Sequence, residues 1–263
     1  MQKNSPLDKY ELYTRAVQDP PAMVDFLSNV GRECSGHWPE RLREDFCGTF
    51  SLSEEWVDRD GKNTAVVVDN SAEPLNYGKR RAKTNLSAEA FSRITVEKKD
   101  VLDKGVDKKS KSAAPDVICA LNFSYGVFKE RPKLKAYLEL CHKRLAPKGI
   151  VALDVLGGIE MASEMQTEAD FLDFHYTWEQ VSFDPLTRFA KFQIHFQRPG
   201  EPARKKAFVY DWRMWTVAEL KDLLQEVGFK NTYVYCEGSG RVENGDSGPA
   251  PGESWVAYVV GRK

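Results

Sequence analysis

The chain has 263 residues with 38 Lys and Arg against 39 Asp and Glu, and a formal net charge of −1 gives no whole-protein attraction to nucleic acid. That length is enough for one large domain or one domain with an appendage, and 41% apolar with 29% charged residues suits a globular core under a polar surface. No apolar run reaches the ~20 residues of a membrane span and the start MQKNSPLDKY lacks a signal-peptide apolar region, so neither a membrane nor secretion is expected.

Helical apolar spacing runs through LDKYELYTRAV (7–17), and Asp19-Pro20-Pro21 stops that helix and starts a second through about residue 30. A short strand ends near Phe46, followed by a turn and a helix over SLSEEWV. TAVVVD (64–69) is a β-branched strand ending in an acid, AEPLNYGKRRAKT a basic helix, and ITVEKKD (94–100) an alternating strand. A solvated loop KGVDKKSKSAAP precedes the buried strand PDVICAL, the amphipathic helix RPKLKAYLELCHKRLAPKG and the strand IVALDVL. This alternation predicts an α/β fold, a Rossmann-like mostly parallel sheet with helices on both faces. The pattern then breaks: FHYTWEQVSFD, RFAKFQIHFQ and KKAFVYDW read as antiparallel strands, an insert placed at 165–211. Thr216 opens a helix with a capping box, TVAE, and the strands TYVYCEG and SWVAYVVG flank the Gly- and Pro-rich loop 238–252. The expected organisation is an N-terminal helical lid over 1–30 and one interrupted domain over 31–263.

In an open parallel sheet, ligands bind beyond the carboxyl ends of the strands. Acids and amides stand there five times: Glu44 to Gly48, Asp69, Asp100, Asn122 and Asp154. Asp69 is the sharpest, because an acid ending the second strand can accept hydrogen bonds from both hydroxyls of a ribose; its plainer role is a helix N-cap. Cys47 reads as a small turn residue, since no histidine is placed to activate it. The cysteines are odd in number and lack zinc-knuckle or redox-pair spacing, so no metal and a reducing, cytoplasmic setting are expected.

With these residues in hand, the chain resembles class I S-adenosylmethionine-dependent methyltransferases over 40–160 and 210–263. EDFCGTF stands at the acidic residue and glycine-rich turn of that family, VVVD at its ribose acid, KKDVLD at its adenine-side acid and LNFSYG at the segment beside the methyl group. The resemblance implies a seven-stranded sheet with a reversed last strand, S-adenosylmethionine as cofactor, and cofactor contacts from Arg43, Glu44, Phe46, Gly48, Asp69, Asn70, Asp100, Val101, Asn122 and Phe123. The chain departs from the family in the turn, where Phe46 and Phe50 replace two glycines and only Gly48 is kept. A cofactor without phosphates tolerates this better than a dinucleotide does, because it needs matching charges, for which Arg43, Glu44 and Asp45 are candidates, more than a bare backbone nest.

The acceptor is expected to be a small molecule, methylated at nitrogen, with Tyr125 and Asp154 as candidate catalytic groups. Tyr125 has an equal reading as a packed aromatic, and Asp154 as a cap on the turn before Gly157-Gly158. The insert resembles the added sheet of enzymes that methylate amino sugars or glycine, which makes Tyr10, Tyr13, Gln18, Trp178 and Arg188 lid candidates; Val127-Phe128 stands where those enzymes often have His-Leu. Three alternatives stay open. The basic runs KRRAK (79–83), KKSK (108–111) and RKK (204–206) raise an RNA or protein acceptor, although they read more simply as solvated faces. Loss of two glycines raises a non-catalytic cofactor-binding protein, and a nicotinamide dehydrogenase is the weakest reading.

Overall fold

The computed structural model describes residues 8–103, 114–237, 240–242 and 254–263. The basic run 108–111 and most of the loop 238–252 lie outside the described residues. Strands β1 (Arg41–Asp45), β2 (Thr64–Asp69), β3 (Ile94–Lys98), β4 (Val117–Ala120) and β5 (Ile150–Gly157) pair in parallel, in the order β3-β2-β1-β4-β5. Strand β12 (Trp255–Arg262) then pairs antiparallel with β5, and β10 (Asn231–Cys236) antiparallel with β12, which is the expected reversed last strand. An eighth strand, β11 (Gly240–Val242), extends that edge.

Period-2 alternation sends successive side chains of each strand to opposite faces. On one face, Leu42, Val67, Cys119 and Ala152 pack with α2 (Pro20–Ser35) and α3 (Ser51–Arg59). On the other, Val68, Ile118, Leu153 and Val259 pack with α6 (Arg131–Arg144) and α7 (Val217–Val227). Helices on both faces bury the central strands completely, which is why VICA is apolar at every position. Helix ends carry the expected chemistry. Asp19 caps α2 by accepting from Ala22 N, with proline in its first turn, and Thr216 and Glu219 make both bonds of a capping box on α7. Helix α2 runs to Ser35, past the boundary expected near 30.

The insert is a separate four-stranded antiparallel sheet, β6 (Met165–Phe171), β7 (Phe174–Phe183), β8 (Phe189–Gln197) and β9 (Arg204–Arg213), in that order. Strand β8 alternates between buried Ala190, Phe192, Ile194 and Phe196 and more exposed partners, so one face is apolar. That face meets α1 (Asp8–Val17) through Leu12 and meets the loop after β4 through Phe123 and Trp212. No described helix is long and apolar enough to cross a membrane.

Candidate active site

The turn after β1 is the first thing the sheet positions. Phe46, Gly48 and Phe50 have φ of 56°, 52° and 50°, so all three positions where the family resemblance calls for glycine adopt the left-handed backbone. That conformation costs a non-glycine residue about 1–2 kcal/mol, and neighbours must hold it. Phe50 is fully buried, and its ring fits the notch left by Gly78 of α4 (Ala72–Asn85). Arg81 of α4 donates to the Thr49 carbonyl at 3.0 Å, Asp69 Oδ2 accepts from Gly48 N at 2.9 Å, and Phe46 packs edge-on against Phe128 and Tyr137. Phenylalanine holds two of these positions, and the left-handed backbone is kept at all three. Phe50→Gly would release the strain and leave a ring-sized void, and the void dominates at about 3–5 kcal/mol. Chemical denaturation should therefore find that variant about 2–4 kcal/mol less stable; equal stability would contradict this packing account.

Beyond the turn, the candidate cofactor residues separate. Asp69 ends β2 half-exposed, with Oδ1 accepting from Ser71 N at 2.8 Å. It is not the N-cap of α4, a position Ser71 holds. Both carboxylate oxygens keep lone pairs for a ribose. Asp100 is exposed and shapes its own loop by accepting from Leu102 N at 2.8 Å, Val101 is buried beside it, and Asn70 is exposed at the end of β2. Glu44, Asn122 and Phe123 line a cavity of about 640 Å³ beyond the carboxyl ends of β1, β4 and β5. Open space lies over Gly48, where an added Cβ would meet no atom within 4 Å.

Arg43 and Asp45 require a correction. In β1 they alternate with Glu44 and point to the opposite face, where Arg43 pairs with Asp45 at 2.8 Å and Tyr137 donates to Asp45 at 3.1 Å. Neither lines the cavity, so Glu44 is the charge that this strand presents there. Glu44 accepts from Ser53 N at 3.2 Å and Ser53 Oγ at 2.5 Å, and burial raises its pKa to about 7 against those bonds. Cys47 is buried, and burial raises its thiol pKa well above the ordinary value, as suits a structural turn residue.

Asp154 and Tyr125 also take definite roles. Asp154 caps the loop after β4 and not the turn before Gly157: its oxygens accept from Asn122 N at 2.6 Å and Phe123 N at 2.9 Å. Those residues are left-handed, with φ of 54° and 56°, so the carboxylate holds the strained pair in place. Asp154 lines the cavity, and burial raises its pKa to about 7, opposed by the two N–H groups. Tyr125 is turned into the core and donates its hydroxyl to the Asp154 carbonyl at 2.6 Å. It does not line the cavity and serves as a brace, which corrects its reading as a catalytic group.

Of the lid candidates, Gln18 lines the cavity and accepts from Ser51 Oγ at 2.6 Å. Tyr10 is buried and donates to Glu73 of α4 at 2.9 Å, and Tyr13 packs on Phe208 of β9. Helix α1 thus bridges α4 and the antiparallel sheet. Trp178 stacks on Phe192 inside that sheet, and Arg188 donates to the Met214 carbonyl at 2.8 Å, bracing a turn; neither reaches the cavity. The basic run on α4 is partly spent inside the fold, because Arg81 pairs with Glu54 at 3.0 Å. Sequence reasoning missed Asp19, Met23 and Phe26, which roof the cavity from α2, and Tyr235, Glu237 and Tyr258, which extend it across β10 and β12. The signal was the pairing of β12 with β5, which sets Tyr258 beside Asp154.

No protein-family model and no curated protein matches the chain. Solved structures match over nearly its whole length. An S-adenosylmethionine-dependent methyltransferase from Clostridium acetobutylicum is 18% identical with a TM-score of 0.68, the match covering 95% of this chain and 96% of that one. An S-adenosylmethionine-bound amino pentose methyltransferase from Micromonospora echinaspora is 14% identical with a TM-score of 0.68, covering 97% and 96%. The sugar N-methyltransferase KedS8 from a Streptoalloteichus species is 16% identical with a TM-score of 0.66, covering 97% and 92%. The fold is that of the class I S-adenosylmethionine-dependent methyltransferases, antiparallel insert included.

Proposed function

We propose that the chain transfers a methyl group from S-adenosylmethionine to a small-molecule amine. The observation that carries this reading is the turn after β1, which keeps a left-handed backbone at Phe46, Gly48 and Phe50, is tied to Asp69 through Gly48 N, and adjoins a cavity bearing the buried carboxylate of Glu44. The donor set fits the cofactor: Asp69 for the ribose, Asp100 and Val101 for the adenine side, and Glu44 for the ammonium of the methionine part. The two helices at the N-terminus act as its lid.

The cofactor, when bound, supplies a methyl carbon already activated by positive sulfur. The chain then has to place an acceptor lone pair in line with that carbon and keep water out, an alignment worth about 7–11 kcal/mol. The Asn122-Phe123 loop, held by Asp154, sets the wall beside the reacting atoms. The accepting nitrogen would take the methyl group, leaving a neutral thioether, and must lose one proton to the chain or to solvent. Of the two cavity carboxylates with pKa values of about 7, Glu44 is assigned to the cofactor's ammonium, which leaves Asp154, beside that wall, to take the proton.

The same reading has a pH signature. Glu44 and Asp154 both have folded pKa values of about 7, above their ordinary 4.5 and 3.8. Raised acids contribute stability that is complete below the unfolded values and is lost as pH rises through about 7, on the order of 3–4 kcal/mol each at most. An ammonium beside Glu44 favours the ionised carboxylate, so affinity for S-adenosylhomocysteine should rise about ten-fold between pH 6 and pH 8. Calorimetric titrations at the two pH values check this, and equal affinities would remove Glu44 from the ammonium site. Methyl transfer from labelled cofactor into a metabolite extract, absent in Asp69→Ala, tests the function and separates it from a non-catalytic binding protein.

A further inference from the structure

The cavity continues from Glu44 well toward the β10 edge of the sheet. Its lining passes from Glu44 of β1 through Leu121 and Phe123 after β4 and Asp154 of β5 to Val256 and Tyr258 of β12 and Tyr235 of β10. A cofactor held by Glu44, Asp69 and Asp100 would leave the β5-β12-β10 end for the acceptor. There Phe26 of α2 stands over the sheet, its ring centroid 4.5 Å from Tyr258 and 5.5 Å from Tyr235. Met23, Phe123 and Val256 complete an apolar wall. The polar groups at this end are few: Tyr235 donates to Glu33 at 3.0 Å, Asp154 accepts the two loop N–H groups, and the Tyr258 hydroxyl is the remaining polar atom of the aromatic wall. Glu237 is exposed at the rim, and no Lys or Arg lines the cavity among the described residues.

From the proposed function and this lining together, we infer that the acceptor is an amine, cationic at neutral pH, carried on an apolar ring-bearing body, and not a polyhydroxylated or phosphate-linked sugar. A sugar would bury hydroxyls against Phe26, Met23 and Val256 without partners, and each unpaired group costs about 1–3 kcal/mol. A nucleotide-linked sugar would bring phosphates to a cavity with carboxylates and no cation. An aryl body instead meets three aromatic rings, and its ammonium meets Glu237 and Asp154 on the way in.

The test uses the full chain saturated with S-adenosylhomocysteine, whose own binding reports on the functional reading separately. Three probes are titrated: 2-phenylethylamine, 2-phenylethanol, which keeps the body and drops the charge, and glucosamine, which keeps the charge and replaces the body. The amine is expected to bind at least ~10-fold more tightly than either of the others, and Glu237→Gln to weaken the amine several-fold while leaving the alcohol unchanged. Glucosamine or the alcohol binding as tightly as the amine, or no amine binding at ~10 mM, would overturn the inference while the functional reading stands. Failure of S-adenosylhomocysteine itself to bind would overturn both.

Discussion

Asp69→Ala is expected to weaken S-adenosylhomocysteine binding by at least ~100-fold, the largest binding effect of any single side chain here. Two charge-assisted hydrogen bonds to a ribose are worth about 1.5–3 kcal/mol each, and the substitution removes both. It also frees Gly48 N and Ser71 N, which Asp69 holds at 2.9 Å and 2.8 Å, so the turn loses its tie to β2. Asp69→Asn separates the two contributions, because the amide keeps one acceptor for Gly48 N while giving up the charge. It should fall between wild type and alanine in affinity and in thermal stability, because its amide NH2 cannot accept from Ser71 N. Were Asp69 only a local turn former, alanine would cost about 1 kcal/mol of stability and leave the affinity untouched. Calorimetry on the three proteins distinguishes these outcomes.

A second effect on stability, with a binding consequence, should come from one methyl group on α4. A Cβ added at Gly78 would stand 2.3 Å from the Thr49 carbonyl oxygen and 2.5 Å from the Phe50 ring. Gly78→Ala gains about 1 kcal/mol in helix propensity. The clash opposes it with a cost of about 1–3 kcal/mol or more, because one atom is backbone and the other belongs to a fully buried ring. Arg81 adds rigidity by holding Thr49 from the same helix. The clash prevails, so the variant should be less stable in chemical denaturation and should bind S-adenosylhomocysteine more weakly, since relief comes only by displacing the turn. A variant more stable than wild type would show that α4 and the turn are not in contact as described.

Much of the fold was legible because three of the five parallel strands lie in short β-branched or apolar runs, TAVVVD, PDVICAL and IVALDVL. Burial on both faces leaves that signature, and the capping box at Thr216 was equally plain. Strand β6, MQTEADF, was not read as a strand, because it is an edge strand of largely exposed polar residues with no apolar alternation. The three-residue β11 and the short α5 (Ala88–Ser92) carry too little pattern to announce themselves. In the site, the order of acids after the strands pointed to Asp69 and Glu44, but sequence position alone did not say which way β1 faces. Period-2 alternation separates Glu44 from Arg43 and Asp45 only once Leu42 is known to pack under α2 and α3. Tyr125 illustrates the same limit, since its hydroxyl is engaged by a carbonyl from another strand, a partner far away in the chain. The aromatic end of the cavity was missed for that reason too: Phe26, Tyr235 and Tyr258 meet across three elements that only the tertiary fold assembles.

The central claim is that a turn with two phenylalanines in glycine's place still receives a sulfonium cofactor. Isothermal titration of S-adenosylmethionine and of S-adenosylhomocysteine into the purified full chain addresses it most directly. Saturable binding with one site per chain, and near-complete loss of heat in Asp69→Ala, is the result this account predicts. No heat at millimolar ligand, or binding that survives Asp69→Ala unchanged, would contradict it.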